Sequence, residues 1–215
     1  MDDERVHDLT TANRRFLADL LESLDEQQWR TETLCAGWSA QELTAHLVQP
    51  SITGFGQVFL VALRYRGDTE RTIDHITRRI ARRPRAELIG LLREHAPDKL
   101  NPPRVGPMGP YVDTCVHLRD LARPLGLEDA DVGSEQWELV LDYLLGPRPA
   151  PALLGVRSLD RLTLHATDLG RTWGSEGELV QGTAEALAMA VTGRRSALAD
   201  LDGPGAAVLS QRLRT

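Results

Sequence analysis

The alternation of apolar and polar positions is helical along most of the chain. In residues 8–24, DLTTANRRFLADLLESL, Leu9, Phe16, Leu17, Leu20 and Leu24 follow the period of an α-helix. LCAGW (34–38) reads as a turn, and SAQE (39–42) has the form of a capping box in which Ser39 caps and Glu42 folds back. A helix follows through LTAHLV until Pro50 kinks or ends it. FGQVFLVALRYR (55–66) is a further helix, stopped by Gly67, and residues 69–82 and 85–96 give two more around Pro84. Segment 97–110, PDKLNPPRVGPMGP, holds five prolines and two glycines and reads as a loop. YVDTCVHLRDLARPLG (111–126) is the fourth main helix, ended by Pro124 and Gly126. Helix after helix with short joints predicts a bundle over residues 1–126.

Beyond Gly126 the pattern changes. LEDADVGSE (127–135) is a polar connection, EQWELVLDYLL (135–145) a helix and GPRPAPA (146–152) a linker. In RLTLHATDLGRTWG (161–174), Leu162, Leu164 and Ala166 alternate with polar neighbours as in a strand, with Gly170 placed to break it. SEG (175–177) turns the chain and ELVQG (178–182) returns it. TAEALAMAVTGR (183–194) and PGAAVLSQRLR (204–214) read as helices. The expected architecture is mostly α: a four-helix bundle (1–126), a helix and linker (127–152) and a small α+β module (153–215).

With 215 residues, 41% of them hydrophobic, the chain can bury a core as one large domain or two small ones. A net charge of −6 argues against a general nucleic-acid surface. The basic run RTIDHITRRIARRPR (71–85) reads as a solvated helix face. No apolar run approaches the roughly 20 residues of a membrane span, and MDDERVHDLTT lacks the apolar core of a signal peptide. A cytoplasmic protein is expected. Cys35 and Cys115 make no disulfide framework in a reducing compartment.

The chemistry lies in the fourth helix. At about 100° per residue, His117 falls about 40° from Asp113 on one side and Asp120 about 20° on the other. Val116 and Leu121 flank the three, and Arg119 points roughly the opposite way. His46 shares a face with Leu43 and Leu47, so a second helix also aims an imidazole inward. Two readings are open. In one, His46, Asp113 and His117 grip a metal ion. The i, i+4 spacing stacks Asp113 on His117, and three ligands leave one tetrahedral position open, as in catalytic zinc sites. Asp120 then orients His117 through its other ring nitrogen or serves as a fourth ligand. In the other, these are core residues satisfied by hydrogen bonds. His7, His75 and His95 read as solvated, and His165 as sheet packing. Cys115, about 200° from Asp113, and Cys35, in the LCAGW turn, read as structural. The sequence has no G-x-S-x-G, no phosphate-cradling glycine loop and no paired-cysteine zinc knuckle.

TLCAGWSAQELTAHLV (33–48) resembles the helix-two motif of the mycothiol-dependent maleylpyruvate isomerase family, relatives of the DinB-like four-helix-bundle metalloproteins. VDTCVHLRDLARPLG (112–126) resembles that family's second motif, and LTLHATDLGRTWG with ELVQGTAEALAMAVTGR (162–194) its small C-terminal domain. The resemblance implies a DinB-like bundle holding a divalent metal, zinc, on His46, Asp113 and His117, with mycothiol as thiol cosubstrate. Asp113 stands where the isomerase has Glu; being one methylene shorter, it requires a closer helix or a bridging water. The implied partners are a small-molecule thiol and an electrophile, on a monomer or homodimer. The implied reactions are isomerisation of an enedioate by reversible thiolate addition, or thiol transfer. A metal-stabilised binding or regulatory protein without turnover is the alternative. Arg123, Arg194 and Arg195 lie in or near the family segments; they are candidates for holding developing negative charge, or else surface and capping arginines.

Overall fold

The computed structural model describes residues 2–146 and 153–214, so the linker reading at 146–152 falls outside it apart from Gly146. Contacts group the chain into residues 1–131 and 132–215. The first unit contains α1 (Asp3–Ser23), α2 (Glu26–Arg30), α3 (Ala40–Ile52), α4 (Phe55–Arg64), α5 (Thr69–Ile80), α6 (Arg85–Glu94) and α7 (Met108–Ala122). Both α1 and α3 pack against α6 and α7, which closes the expected four-helix bundle; α5 lies on α3, and α4 on α5. The inner face of α4, with Val58 and Val61, meets a core of Ala45, Ile76, Ile80 and Leu88. Its Phe55, Phe59, Leu60 and Leu63 are exposed.

Local chemistry sets the helix ends. Ser39 and Glu42 form the full capping box at α3. Pro50 lies inside α3 and cannot donate to the carbonyl four residues back, at His46; the helix ends two residues later, at Ile52. After α7 a 3-10 turn (Arg123–Leu125) leads to Gly126 in the left-handed region, φ 67°. There Leu127 N–H returns to the Ala122 carbonyl, at 3.0 Å.

Two expectations are corrected. The inward face of α1 is rotated from the apolar stripe: Leu17 stays inside and Phe16 does not. Val6, Thr10, Asn13, Arg14, Leu17, Ala18 and Leu21 are buried, while Phe16 is 40% exposed. Tertiary partners explain the rotation. Asn13 Nδ2 donates to Thr114 Oγ1 and Cys115 Sγ, both at 3.4 Å. Arg14 Nη1 donates to the carbonyls of His95, Ala96 and Asp98, at 3.4, 3.2 and 3.1 Å. Polar groups satisfied in this way are stable inside. Second, α7 begins at Met108, within the segment read as loop. Pro110 is tolerated there because N–H groups in a first helical turn have no intrahelical acceptor.

The second unit contains α8 (Ser134–Leu144), β1 (Leu162–Ala166), β2 (Arg171–Trp173), β3 (Glu178–Gly182), α9 (Ala184–Val191) and α10 (Pro204–Arg212). The sheet order is β2-β1-β3. The segment read as one interrupted strand is a β1–β2 hairpin, with Leu164 opposite Trp173 and Gly170 at φ 61° in its turn. Strand β3 runs parallel to β1, with Val180 opposite Leu164. Leu162, Leu164 and Ala166 are buried in the expected alternation, and α9 packs on β1 and α8. Among the described residues no helix is long and apolar enough to cross a membrane.

Candidate metal centre

Helices α3 and α7 bring the three expected residues together. Asp113 Oδ1 lies 3.5 Å from His46 Nε2 and 3.2 Å from His117 Nε2. The two imidazoles meet edge to face, with centroids 4.9 Å apart and planes at 79°. One donor atom from each residue lies within 4.8 Å of the other two. Zinc bonds of about 2.1 Å in a tetrahedron separate neighbouring donors by roughly 3.4 Å, and the two measured distances bracket that value. Two imidazoles and a carboxylate also suit the ion chemically, so the residues fit a divalent metal. The shorter aspartate reaches both imidazoles directly. Its side chain is 33% exposed, against 14% for His46 and 9% for His117, so the cluster opens to solvent on the Asp113 side.

The electrostatics follow from this packing. Burial alone would raise the Asp113 carboxyl, but His117 and then His46 outweigh it and hold the group well below the usual carboxylate range. Burial alone would lower the His117 imidazole, but Asp113 outweighs it, aided by Cys35 and Asp120, and raises it well above its ordinary value. The pair thus favours carboxylate and imidazolium, and a cation that binds must displace the His117 proton. Among the described residues, His46 Nδ1 is buried without a hydrogen-bond partner. The Trp38 ring lies against His46, centroids 5.1 Å apart. Trp38 Nε1 donates to Asp74 Oδ1 at 2.9 Å, which anchors the indole to α5.

Asp120, fully buried, meets the other side of His117, its Oδ2 lying 2.9 Å from Nδ1. Cys35 was read as structural, yet its half-buried thiol donates to the same Oδ2 at 3.2 Å and lies 3.6 Å from His117 Nδ1. No periodicity could have revealed this, because the contact depends on a turn folding over a helix 85 residues away. Cys35, His117 and Asp120 form a second group whose donor atoms could hold a metal ion.

The remaining candidates are engaged elsewhere. His75 pairs with Tyr65 Oη at 3.1 Å, His95 with Asp98 at 2.9 Å and His165 with Thr172 at 2.9 Å. His7 is half-buried on α1. Cys115 is fully buried, and burial pushes its thiol upward. Arg119 is buried too, its Nη1 donating to the carbonyls of Leu127, Glu128 and Ala130, so it closes the connection after α7. Arg123 opens the 3-10 turn after α7. In the second unit Arg194 donates to the Thr192 carbonyl at 2.9 Å, and Arg195 begins the 3-10 turn Arg195–Asp200.

A family model described as "Mycothiol maleylpyruvate isomerase N-terminal domain" matches residues 10–170. The chain belongs to this family. Its fold is similar to that in the crystal structure of the mycothiol-dependent maleylpyruvate isomerase, with a TM-score of 0.50 and 13% identity over 96% of this chain and 94% of that one. A histidine-to-alanine mutant of that isomerase gives the same figures. At this identity the likeness speaks for the fold alone. No curated protein matches the chain.

Proposed function

We propose that this protein is a metal-dependent enzyme that uses a low-molecular-weight thiol, mycothiol, to isomerise an enedioate of the maleylpyruvate type. The observation that carries this reading is the convergence of His46, Asp113 and His117 on one partly open point between α3 and α7. Family membership supports the choice of thiol and reaction class. In this reading the three residues hold a divalent ion, with zinc the best match to the donors. When bound, the ion supplies a Lewis acid that favours the thiolate form of a thiol substrate near neutral pH.

The chain's own residues do the rest. Asp120 accepts from His117 Nδ1 and fixes the tautomer that presents Nε2 beside Asp113. Trp38 packs on His46 and restrains its ring. Asp113 contributes the negative charge among the three, and its partial exposure leaves one side for substrate to approach.

The test incubates full-length protein with zinc, mycothiol and maleylpyruvate and follows formation of the trans isomer. Turnover should require both thiol and metal and should vanish in His46→Ala. Stoichiometric consumption of mycothiol with an alkylating electrophile, without isomerisation, would replace the isomerase reading with a thiol transferase. Absence of both reactions in metal-loaded protein would leave a binding role.

A further inference from the structure

The turn at residues 33–38 touches both helices that carry the candidate ligands. Towards α7, Leu34 N–H donates to the Asp120 carbonyl at 3.0 Å and the Cys35 thiol to Asp120 Oδ2 at 3.2 Å. Towards α3, the Trp38 ring packs on His46, and the next residue is the cap Ser39. The turn is also stapled internally. Thr33 N–H and Oγ1 both donate to the Trp38 carbonyl, at 2.8 and 2.9 Å, and Thr33 Oγ1 accepts from Cys35 N–H at 3.2 Å. Gly37 takes φ 74°, a conformation that strains other residues. Cys35 is therefore delivered to Asp120 by a shape fixed independently of it.

Asp120 Oδ2 gathers two donors at hydrogen-bond length, His117 Nδ1 at 2.9 Å and Cys35 Sγ at 3.2 Å. A thiol is a weak donor to a neutral acceptor, but hydrogen bonds with an ionised partner are roughly twice as strong as neutral ones. We propose that Cys35 is a positioning residue: its thiol holds the Asp120 carboxylate against His117 Nδ1, which fixes the ring with Nε2 aimed at the point shared with His46 and Asp113. The inference rests on the reading of those three residues as metal ligands. It differs from a role for Cys35 as a ligand itself, in which the thiol and Nδ1 would both lose their protons to a metal at the second group.

The experiment compares full-length wild type with Cys35→Ser, Cys35→Ala and Cys35→Val. Zinc affinity is measured by chelator competition and the geometry at His117 by the ligand-field absorption of the cobalt(II) form. Serine keeps a donor and should stay within about 3-fold of wild-type affinity. Alanine and valine should each weaken zinc by about 10-fold, within the range for outer partners of a ligating histidine, and should shift the cobalt(II) ligand-field bands. Two donor-free variants keep the test open should one fail to fold. Wild-type affinity with unchanged cobalt(II) bands in the donor-free variants would overturn the proposal, as would serine behaving like alanine. A thiolate-to-cobalt band that disappears in Cys35→Ser would also overturn it, by making Cys35 a ligand. If wild type bound neither zinc nor cobalt, the metal reading itself would fall and this inference with it, a result distinct from equal binding by wild type and Cys35→Ala.

Discussion

Asp113 and Asp120 hold the same imidazole by opposite nitrogens: Asp113 Oδ1 lies 3.2 Å from His117 Nε2, and Asp120 Oδ2 2.9 Å from Nδ1. The first acid is partly open to solvent and the second wholly buried. That asymmetry divides their work. Asp113 can meet an ion or a substrate from the solvent side, whereas Asp120 meets the ring from its buried side.

The first prediction is compositional. Protein purified and dialysed with zinc should carry about one ion per chain, the occupancy of a single three-residue site. His46→Ala and His117→Ala should each lose most of it. Asp113→Ala should lose more affinity than Asp120→Ala, for which about 10- to 100-fold is expected. Elemental analysis and chelator competition decide this, and unchanged occupancy in both histidine variants would exclude the site.

The second prediction concerns pH. The His117 imidazole is raised in the folded protein, so without metal its contribution to stability is complete below its unfolded value of about 6.5 and disappears as pH rises through the folded value. Asp113 is depressed, so its contribution is present above about 3.9 and is lost only as pH falls through its folded value. Zinc reverses the trend on the alkaline side, because it needs His117 deprotonated. Melting temperatures of chelator-treated protein should therefore fall as pH rises above neutral, while those of zinc-loaded protein hold or increase. Calorimetry in two buffers should show proton release on zinc binding. Parallel melting profiles, or binding without proton release, would contradict the coupled Asp113–His117 pair.

A third prediction tests the polar face of α1. Arg14→Met removes a guanidinium that serves three carbonyls and leaves them buried. It should cost about 1–3 kcal/mol in urea unfolding. Phe16→Ser, on the exposed side, should change stability by less than about 0.5 kcal/mol. Reversed magnitudes would show that the face carrying Phe16 is the inner one.

A fourth concerns the two units. The bundle closes its own ring of four helices, so we expect residues 1–131 to fold when expressed alone. Circular dichroism and cooperative melting would show it. A disordered fragment would mean that the bundle needs the residues after it.

What could be read from the sequence had local causes. The capping box at Ser39 and Glu42, the stop at Gly126 and the alternation in Leu162–Ala166 each depend on residues within a few positions. The i, i+4 relation of Asp113 and His117 is equally local, which is why two of the three cluster residues are legible on one helix. That His46 faced the same point was an expectation from its helix face. The rest depends on contacts across the fold. Asn13 and Arg14 turn α1 against its hydrophobic periodicity only because Thr114, Cys115 and three carbonyls await them. Cys35 looked inert because nothing in LCAGW announces the helix beneath it.

The pairing of His46 with Asp113 and His117 has a topological consequence. An ion gripped by them would tie α3 to α7 across about seventy residues, and a tie across a loop of that length removes conformational freedom chiefly from the unfolded chain. It would act as a removable cross-link. The enclosed stretch contains the proline-rich connection between α6 and α7, so a protease cut there would leave the severed pieces bridged by the ion as well as by packing. Such a protein would register metal supply in its lifetime.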